Sequence, residues 1–264
     1  MTIFDSLVLG AVQGITEFIP VSSSGHLVLA EKFLGLDNNF TFGVLLNVGT
    51  LVALVIFFRN RILDALKKII LEKNYKFGLI LGVSIIPTVF AGFIFSDFFE
   101  GLNDNIWIVV ATLLLVGALM LLFGRLNKRV KVTTESEVEL KDALFVGLSQ
   151  VFALVPGVSR SGITILSGLN RGFSVEAAAN FSFLMAAPTI LGAIIHSLFF
   201  KEGFTFISQN AATFWFGNLA SLLLGLLAVK TMINLLKKHG LSVFGWYRIG
   251  LGVIIGVLLI TNVL

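Results

Sequence analysis

The chain reads as an all-α integral membrane protein, with six transmembrane helices and two re-entrant helix–break–helix hairpins arranged as an inverted-topology repeat. Three observations lead there. Six apolar runs are each long enough to cross a bilayer. Two further apolar stretches are interrupted by a short polar string, and the two strings are copies of one another. The first is Val21-Ser22-Ser23-Ser24-Gly25, followed by His26; the second is Val158-Ser159-Arg160-Ser161-Gly162. They share four of five residues at an offset of 137, which also pairs Gly10 with Gly147 and Gln13 with Gln150. A repeated polar break in a membrane chain points to two broken helices meeting at one site.

Composition supports the class. Of 264 residues, 56% are hydrophobic and 13% charged, outside the range of soluble domains. The net charge of +4 falls mostly in loops between apolar runs, so it reports orientation and not a nucleic-acid partner. Cysteine is absent, which excludes a disulfide frame, thiolate chemistry and a cysteine metal site. Met1 leads into a stretch with Asp5 and no basic segment, so no cleavable signal is expected.

The elements follow in order. The stretch at about 3–36 carries the first string in its middle, and neither half is long enough to span. It is predicted to be a hairpin whose irregular backbone is satisfied by protein or water at membrane depth. Spans are predicted at about 40–58, 77–95 and 106–123. The second broken stretch covers about 142–172, and spans follow at about 179–200, 213–235 and 245–263.

Loop charge sets the topology. Arg59, Arg61, Lys67, Lys68, Lys73 and Lys76 crowd one loop; Arg125, Lys128, Arg129, Lys131 and Lys141 another; Lys230, Lys237, Lys238 and Arg248 a third region. Loop 96–105 has no base and carries Asp97, Glu100 and Asp104. The positive-inside rule places the first three in the cytoplasm and the last outside. Hairpin 1 then enters from outside and hairpin 2 from inside, because three spans separate them. The expectation is a single membrane domain over 1–264, with repeat 1 at about 1–124 and repeat 2 at about 140–264.

In the first string, Gln13 and Glu17 share a helix face, being four residues apart. A carboxylate at membrane depth costs about 2.5–3.5 kcal/mol or more, so Glu17 should face a cavity and a partner. Pro20 ends the helix. Ser22, Ser23 and Ser24 supply hydroxyls and an N-cap, and Gly25 permits close backbone approach to a ligand. His26, three residues beyond Ser23, would face back toward those hydroxyls as a base beside a nucleophile. The plainer reading is a serine cap with a histidine bonded to a backbone carbonyl.

In the second string, Arg160 reads as the one intramembrane cation, able to clamp phosphate oxygens with two parallel hydrogen bonds. Ser159, Ser161 and Thr164 add donors, and a helix starting near Ser161 would aim free N–H groups at the same anion. An ion pair between Arg160 and Glu17 is compatible with that role. Asn47 and Asn180, near the starts of corresponding spans, are further cavity candidates, whereas His196 reads as a packing residue.

At these residues the chain resembles the undecaprenyl pyrophosphate phosphatases of the bacitracin-resistance type. Gln13-Gly14-Ile15-Thr16-Glu17-Phe18-Ile19-Pro20-Val21-Ser22-Ser23-Ser24-Gly25-His26 looks like the first signature of that family. Pro156-Gly157-Val158-Ser159-Arg160-Ser161-Gly162-Ile163-Thr164 looks like the second. The resemblance covers essentially the whole chain. It implies hydrolysis of the terminal phosphate of a C55 polyprenyl diphosphate at the outer face of the bacterial plasma membrane, which recycles the lipid carrier of peptidoglycan synthesis. Carried over, Ser23 is the nucleophile, His26 its base or the leaving-group acid, and Arg160 the diphosphate ligand. Glu17 holds a divalent cation, Mg²⁺ or Ca²⁺, or orients the serine and histidine. Gln13 stands where an acid is also found in the family, which removes one carboxylate from a two-carboxylate metal site. Ser22 stays a rival nucleophile. The oligomeric state is open, a homodimer included. The alternative function is a transporter or flippase of a phosphorylated polyprenyl lipid built on the same inverted-repeat site.

Overall fold

The computed structural model describes residues 1–37, 39–123 and 130–262. The predicted loop cations Arg125, Lys128 and Arg129 lie outside the described residues. The first broken stretch forms α1 (Ile3–Phe18) and α2 (Ser23–Phe33). A capping box starts α1: Thr2 Oγ1 accepts from the Asp5 N–H, and the Asp5 carboxylate accepts from the Thr2 N–H. It ends at Phe18 because Ile19 precedes Pro20 and is driven to extended backbone, φ −72 and ψ 135. The second broken stretch forms α8 (Leu140–Val151), a short 3₁₀ turn at Phe152–Leu154, and α9 (Arg160–Asn170).

Between and after these lie α3 (Phe40–Leu45), α4 (Asn47–Ile70), α5 (Tyr75–Ile94), α6 (Ser96–Gly101) and α7 (Ile106–Phe123). The chain closes with α10 (Val175–Phe200), α11 (Gly203–Gln209), α12 (Ala211–His239) and α13 (Ser242–Ile260). Six segments have the length and apolarity to cross a membrane: α3 with α4, then α5, α7, α10, α12 and α13. They coincide with the six predicted runs. Large apolar side chains such as Ile86, Phe90, Leu115 and Leu122 are more than half exposed on their outer faces. Acyl chains are the solvent such a surface requires. This is a multi-pass membrane protein.

The structure departs from the sequence expectation at two places. Residues 59–70 were expected in a loop, yet α4 continues through them past a kink at Phe58, whose φ −98 and ψ 15 are non-helical. Packing holds the extra turns, because Ala65 is buried with Phe77 and Leu184, and Ile62 and Ile69 pack against them. Arg248 was counted among cytoplasmic loop bases, yet it lies inside α13 and is fully buried.

Close backbone approach organises the bundle. The helix α1 packs along α12, α8 along α5, and α7 along α13. A Cβ on Gly10 would collide with the Gly217 carbonyl oxygen, and one on Gly147 would fall 2.7 Å from that of Ser84. In lipid, helices gain no hydrophobic drive toward each other, so contact between small residues carries the packing. Phe183 sits between Phe18 and Phe58 at ring-centroid distances of 6.1 and 4.9 Å, filling the interior beside the first break.

Ion pairs mark the two ends. Arg61 meets Glu135 at 2.8 Å and Lys237 meets Glu176 at 3.0 Å at the end rich in bases. Lys201 meets Glu100 at 2.6 Å and also contacts Asp97 at the acidic end.

Candidate active site

The two breaks carry the same uncommon backbone. Ser22 has φ 77 and ψ 97; Ser159 has φ 75 and ψ 117. A positive φ is costly for a residue with a Cβ and persists only where the surroundings enforce it. Each serine is an N-cap: Ser22 Oγ accepts from the Gly25 N–H at 3.3 Å, and Ser159 Oγ from the Gly162 N–H at 3.1 Å. The breaks abut, since a Cβ on Gly25 would lie 3.4 Å from Gly157 Cα and 3.0 Å from a Val109 methyl. Gly25, expected to admit a ligand, thus admits the other break and α7. Gly157 has φ +89, and a Cβ there would collide with Thr112 Oγ1.

Glu17 is the hub. Its Oε1 accepts from Arg160 Nη2 at 2.6 Å, across 143 residues of sequence. Its Oε2 accepts from Ser23 Oγ at 2.6 Å and from Gln13 Nε2 at 2.9 Å. Gln13 Nε2 also reaches Asn47 Oδ1 at 2.9 Å. The side chains of Arg160 and Glu17 are only 12% and 9% exposed, so each charge needs the other. Arg160 Nη1 is buried with no hydrogen-bond partner among the described residues, a donor left over beside the carboxylate. Gln13, Ser23, Ser24 and Asn47 line a cavity of about 100 Å³ that extends to Glu31, Asn39 and Asn103.

His26 sits as the plainer sequence reading has it, on a backbone carbonyl, and not as a base on Ser23. Its Nδ1 lies 2.6 Å from the Ser22 carbonyl oxygen, and its Nε2 lies 2.8 Å from Tyr247 Oη. A carbonyl only accepts, so Nδ1 carries the hydrogen. No hydrogen bond joins His26 to a serine hydroxyl among the described residues. The turn of α2 that was expected to aim His26 at Ser23 places the ring over the break and against α13. Thr164 also turns away: buried on α9, its Oγ1 lies 2.8 Å from the Arg160 carbonyl and 2.7 Å from Ser182 Oγ. Ser161 is buried, with its hydroxyl 3.4 Å from that of Ser159. Ser24 Oγ lies 3.3 Å from Ser22 Oγ. Of the two cavity asparagines, Asn47 joins the hub, while Asn180 is buried within α10. His196 packs against Phe93 and Phe200, as a packing residue should.

Two functional-looking residues escaped the sequence reading. Arg248 donates to the carbonyls of Pro20 and Thr112, each at 3.3 Å, and to that of Gly157. It therefore ties break 1, α7 and break 2 together, and Arg160 is not the one intramembrane cation. A basic residue within an apolar run was the available signal. Tyr247 had none, because its contact with His26 spans 221 residues.

The chain matches the family described as bacitracin resistance protein BacA over residues 6–254. The chain belongs to that family. It is 38% identical to the undecaprenyl-diphosphatase of Rubrobacter xylanophilus, covering 98% of this chain and 99% of that protein. It is 40% identical to that of Carboxydothermus hydrogenoformans, covering 98% of each chain. Undecaprenyl-diphosphatase 1 of Clostridioides difficile is 38% identical over 97% of this chain and 95% of its own. The matched range spans both breaks and the hub.

The donor set fits a hard divalent cation only in part. Glu17, the Asn47 amide oxygen and the Ser23 hydroxyl are oxygen ligands of the kind Mg²⁺ and Ca²⁺ select, whereas Gln13 turns its amide nitrogen to the hub. Among the described residues, no group of three or more His, Cys, Asp or Glu comes together. A cation at this place would be held by Glu17 and Asn47 and completed by substrate phosphate oxygens.

Proposed function

We propose that this BacA-family chain hydrolyses undecaprenyl diphosphate to undecaprenyl phosphate and inorganic phosphate, an activity that recycles the lipid carrier of peptidoglycan synthesis and confers bacitracin resistance. The observation that carries it is the Ser23 hydroxyl, hydrogen-bonded to Glu17 while Glu17 is held by Arg160. Ser23 Oγ attacks the terminal phosphorus, and Glu17 accepts its proton. The bond from that phosphorus to the bridging oxygen breaks, and undecaprenyl phosphate leaves. Water then attacks the phosphoserine, giving inorganic phosphate and restoring the hydroxyl. Arg160 supplies positive charge, with Nη1 as the spare donor for a phosphate oxygen. Ser22 is the weaker nucleophile candidate, because it is buried and its Oγ serves the N-cap. A bound Mg²⁺ or Ca²⁺ would neutralise diphosphate charge.

The single domain is read as two inverted repeats, each a re-entrant hairpin followed by three spans. Matching backbone at Ser22 and Ser159 supports this, as does the reciprocal packing of α1 on α12 and α8 on α5. The cavity beside Ser23 reaches Asn103, within the acidic loop assigned outside, which favours opening to the outer face of the plasma membrane. No observation favours the transporter alternative.

The test is phosphate release from undecaprenyl diphosphate by purified protein in detergent, with and without Mg²⁺ or Ca²⁺. The expected result is metal-dependent release, lost in folded Ser23→Ala and Arg160→Ala variants. Folded wild type that releases none under any of these conditions would overturn the reading.

A further inference from the structure

The contact between His26 and Tyr247 is unusual for its place. Two polar side chains from distant helices meet edge to tip and face to face at once. The rings are 5.8 Å apart and 7° from parallel, and the phenol oxygen lies 2.8 Å from Nε2. The Nδ1 hydrogen is committed to the Ser22 carbonyl, so in the neutral ring Nε2 is the bare nitrogen and Tyr247 O–H donates to it. Tyr247 is held in turn by its neighbour: Arg248 anchors that turn of α13 to the carbonyls of both breaks. One dipeptide therefore fixes the histidine ring and the two loops that carry Ser23 and Arg160.

We propose that Tyr247 is a positioning residue for the phosphatase reaction, holding the His26 ring and, through its Nδ1–H, the Ser22 carbonyl, so that the first break keeps Ser23 on Glu17. The phenol suits this work because its oxygen donates to a neutral Nε2 and accepts from a protonated one. It keeps the ring in place through both states. This inference rests on the phosphatase reading.

The experiment compares wild type with Tyr247→Phe, which keeps the stacked ring and removes only the hydroxyl. Phosphate release from undecaprenyl diphosphate should show kcat reduced about fivefold to tenfold, the loss of one ordinary hydrogen bond, with KM unchanged. In a His26→Ala background the same substitution should cost nothing further. The second readout needs no turnover. Protein carrying ¹⁵N-histidine has three histidines, and His196, far from Tyr247 in the sequence and packed on Phe93 and Phe200, is an internal control. The Nε2 resonance of His26 should move in Tyr247→Phe while that of His196 stays. Wild-type kinetics in Tyr247→Phe, or an unmoved Nε2 resonance, would overturn the proposal. Wild type without phosphate release would overturn the phosphatase reading and the catalytic purpose of the contact with it. The resonance would then still report whether the contact exists.

Discussion

Ser23 Oγ donates to Glu17 at 2.6 Å, while His26, three residues along the same helix, turns both ring nitrogens elsewhere. The carboxylate, not the imidazole, is the acceptor within reach of the serine proton. Glu17→Gln should therefore lower phosphate release by at least about a hundredfold, the lower end of what a positioned base contributes. It also leaves Arg160 without its counter-charge, so thermal unfolding in detergent should show a loss of about 3 kcal/mol. His26→Gln should be milder in stability than Glu17→Gln.

Arg248 bridges three carbonyls from three segments. Arg248→Leu strips their donors at once. Each buried unsatisfied group costs about 1–3 kcal/mol, so a loss of at least about 3 kcal/mol is expected. Arg248→Lys should recover only part of it, because an ammonium cannot span the same fork. Melting temperatures of the two variants in one detergent check the order.

Gly157 combines φ +89 with a Cβ position that Thr112 Oγ1 already fills. Gly35 has φ +66 and open space around it. Gly35→Ala should cost only the left-handed backbone, about 1–2 kcal/mol. Gly157→Ala should cost more and also reduce phosphate release, since Arg160 lies three residues on. Equal losses in the two variants would remove the packing argument.

A site with one carboxylate should bind its cation weakly alone and well with phosphate. Chelation with EDTA should abolish release, and Mg²⁺ or Ca²⁺ should restore it. Adding either cation to substrate-free protein should leave the melting temperature unchanged. Adding it with a non-hydrolysable prenyl diphosphonate should raise that temperature. A rise with cation alone would point to more ligands than Glu17 and Asn47.

Local chemistry made much of this protein legible. Six spans followed from apolar length, because a bilayer demands about 20 such residues. The breaks followed from Pro20, Pro156 and the serine strings, and the family from the same residues. A serine cap in the first string was recognisable because an N-cap is a contact over three residues. Glu17 needed a partner on energetic grounds alone, and Arg160 was the natural one.

What the tertiary structure decided was everything that crosses the chain. Pairing of Glu17 with Arg160 became a distance only when the two breaks met. His26 was given to Tyr247 by the way α13 lies against break 1. Thr164 was drawn to Ser182, away from the cavity, by the packing of α9 on α10. Arg248 passed for a loop cation because a run of charges at a span's edge looks the same whether its last member points to water or inward. Helix spacing orders the residues on one face, but which face meets which helix depends on side-chain fit between segments more than a hundred residues apart. That fit is set by small contacts such as Gly10 on Gly217, and no local pattern encodes it.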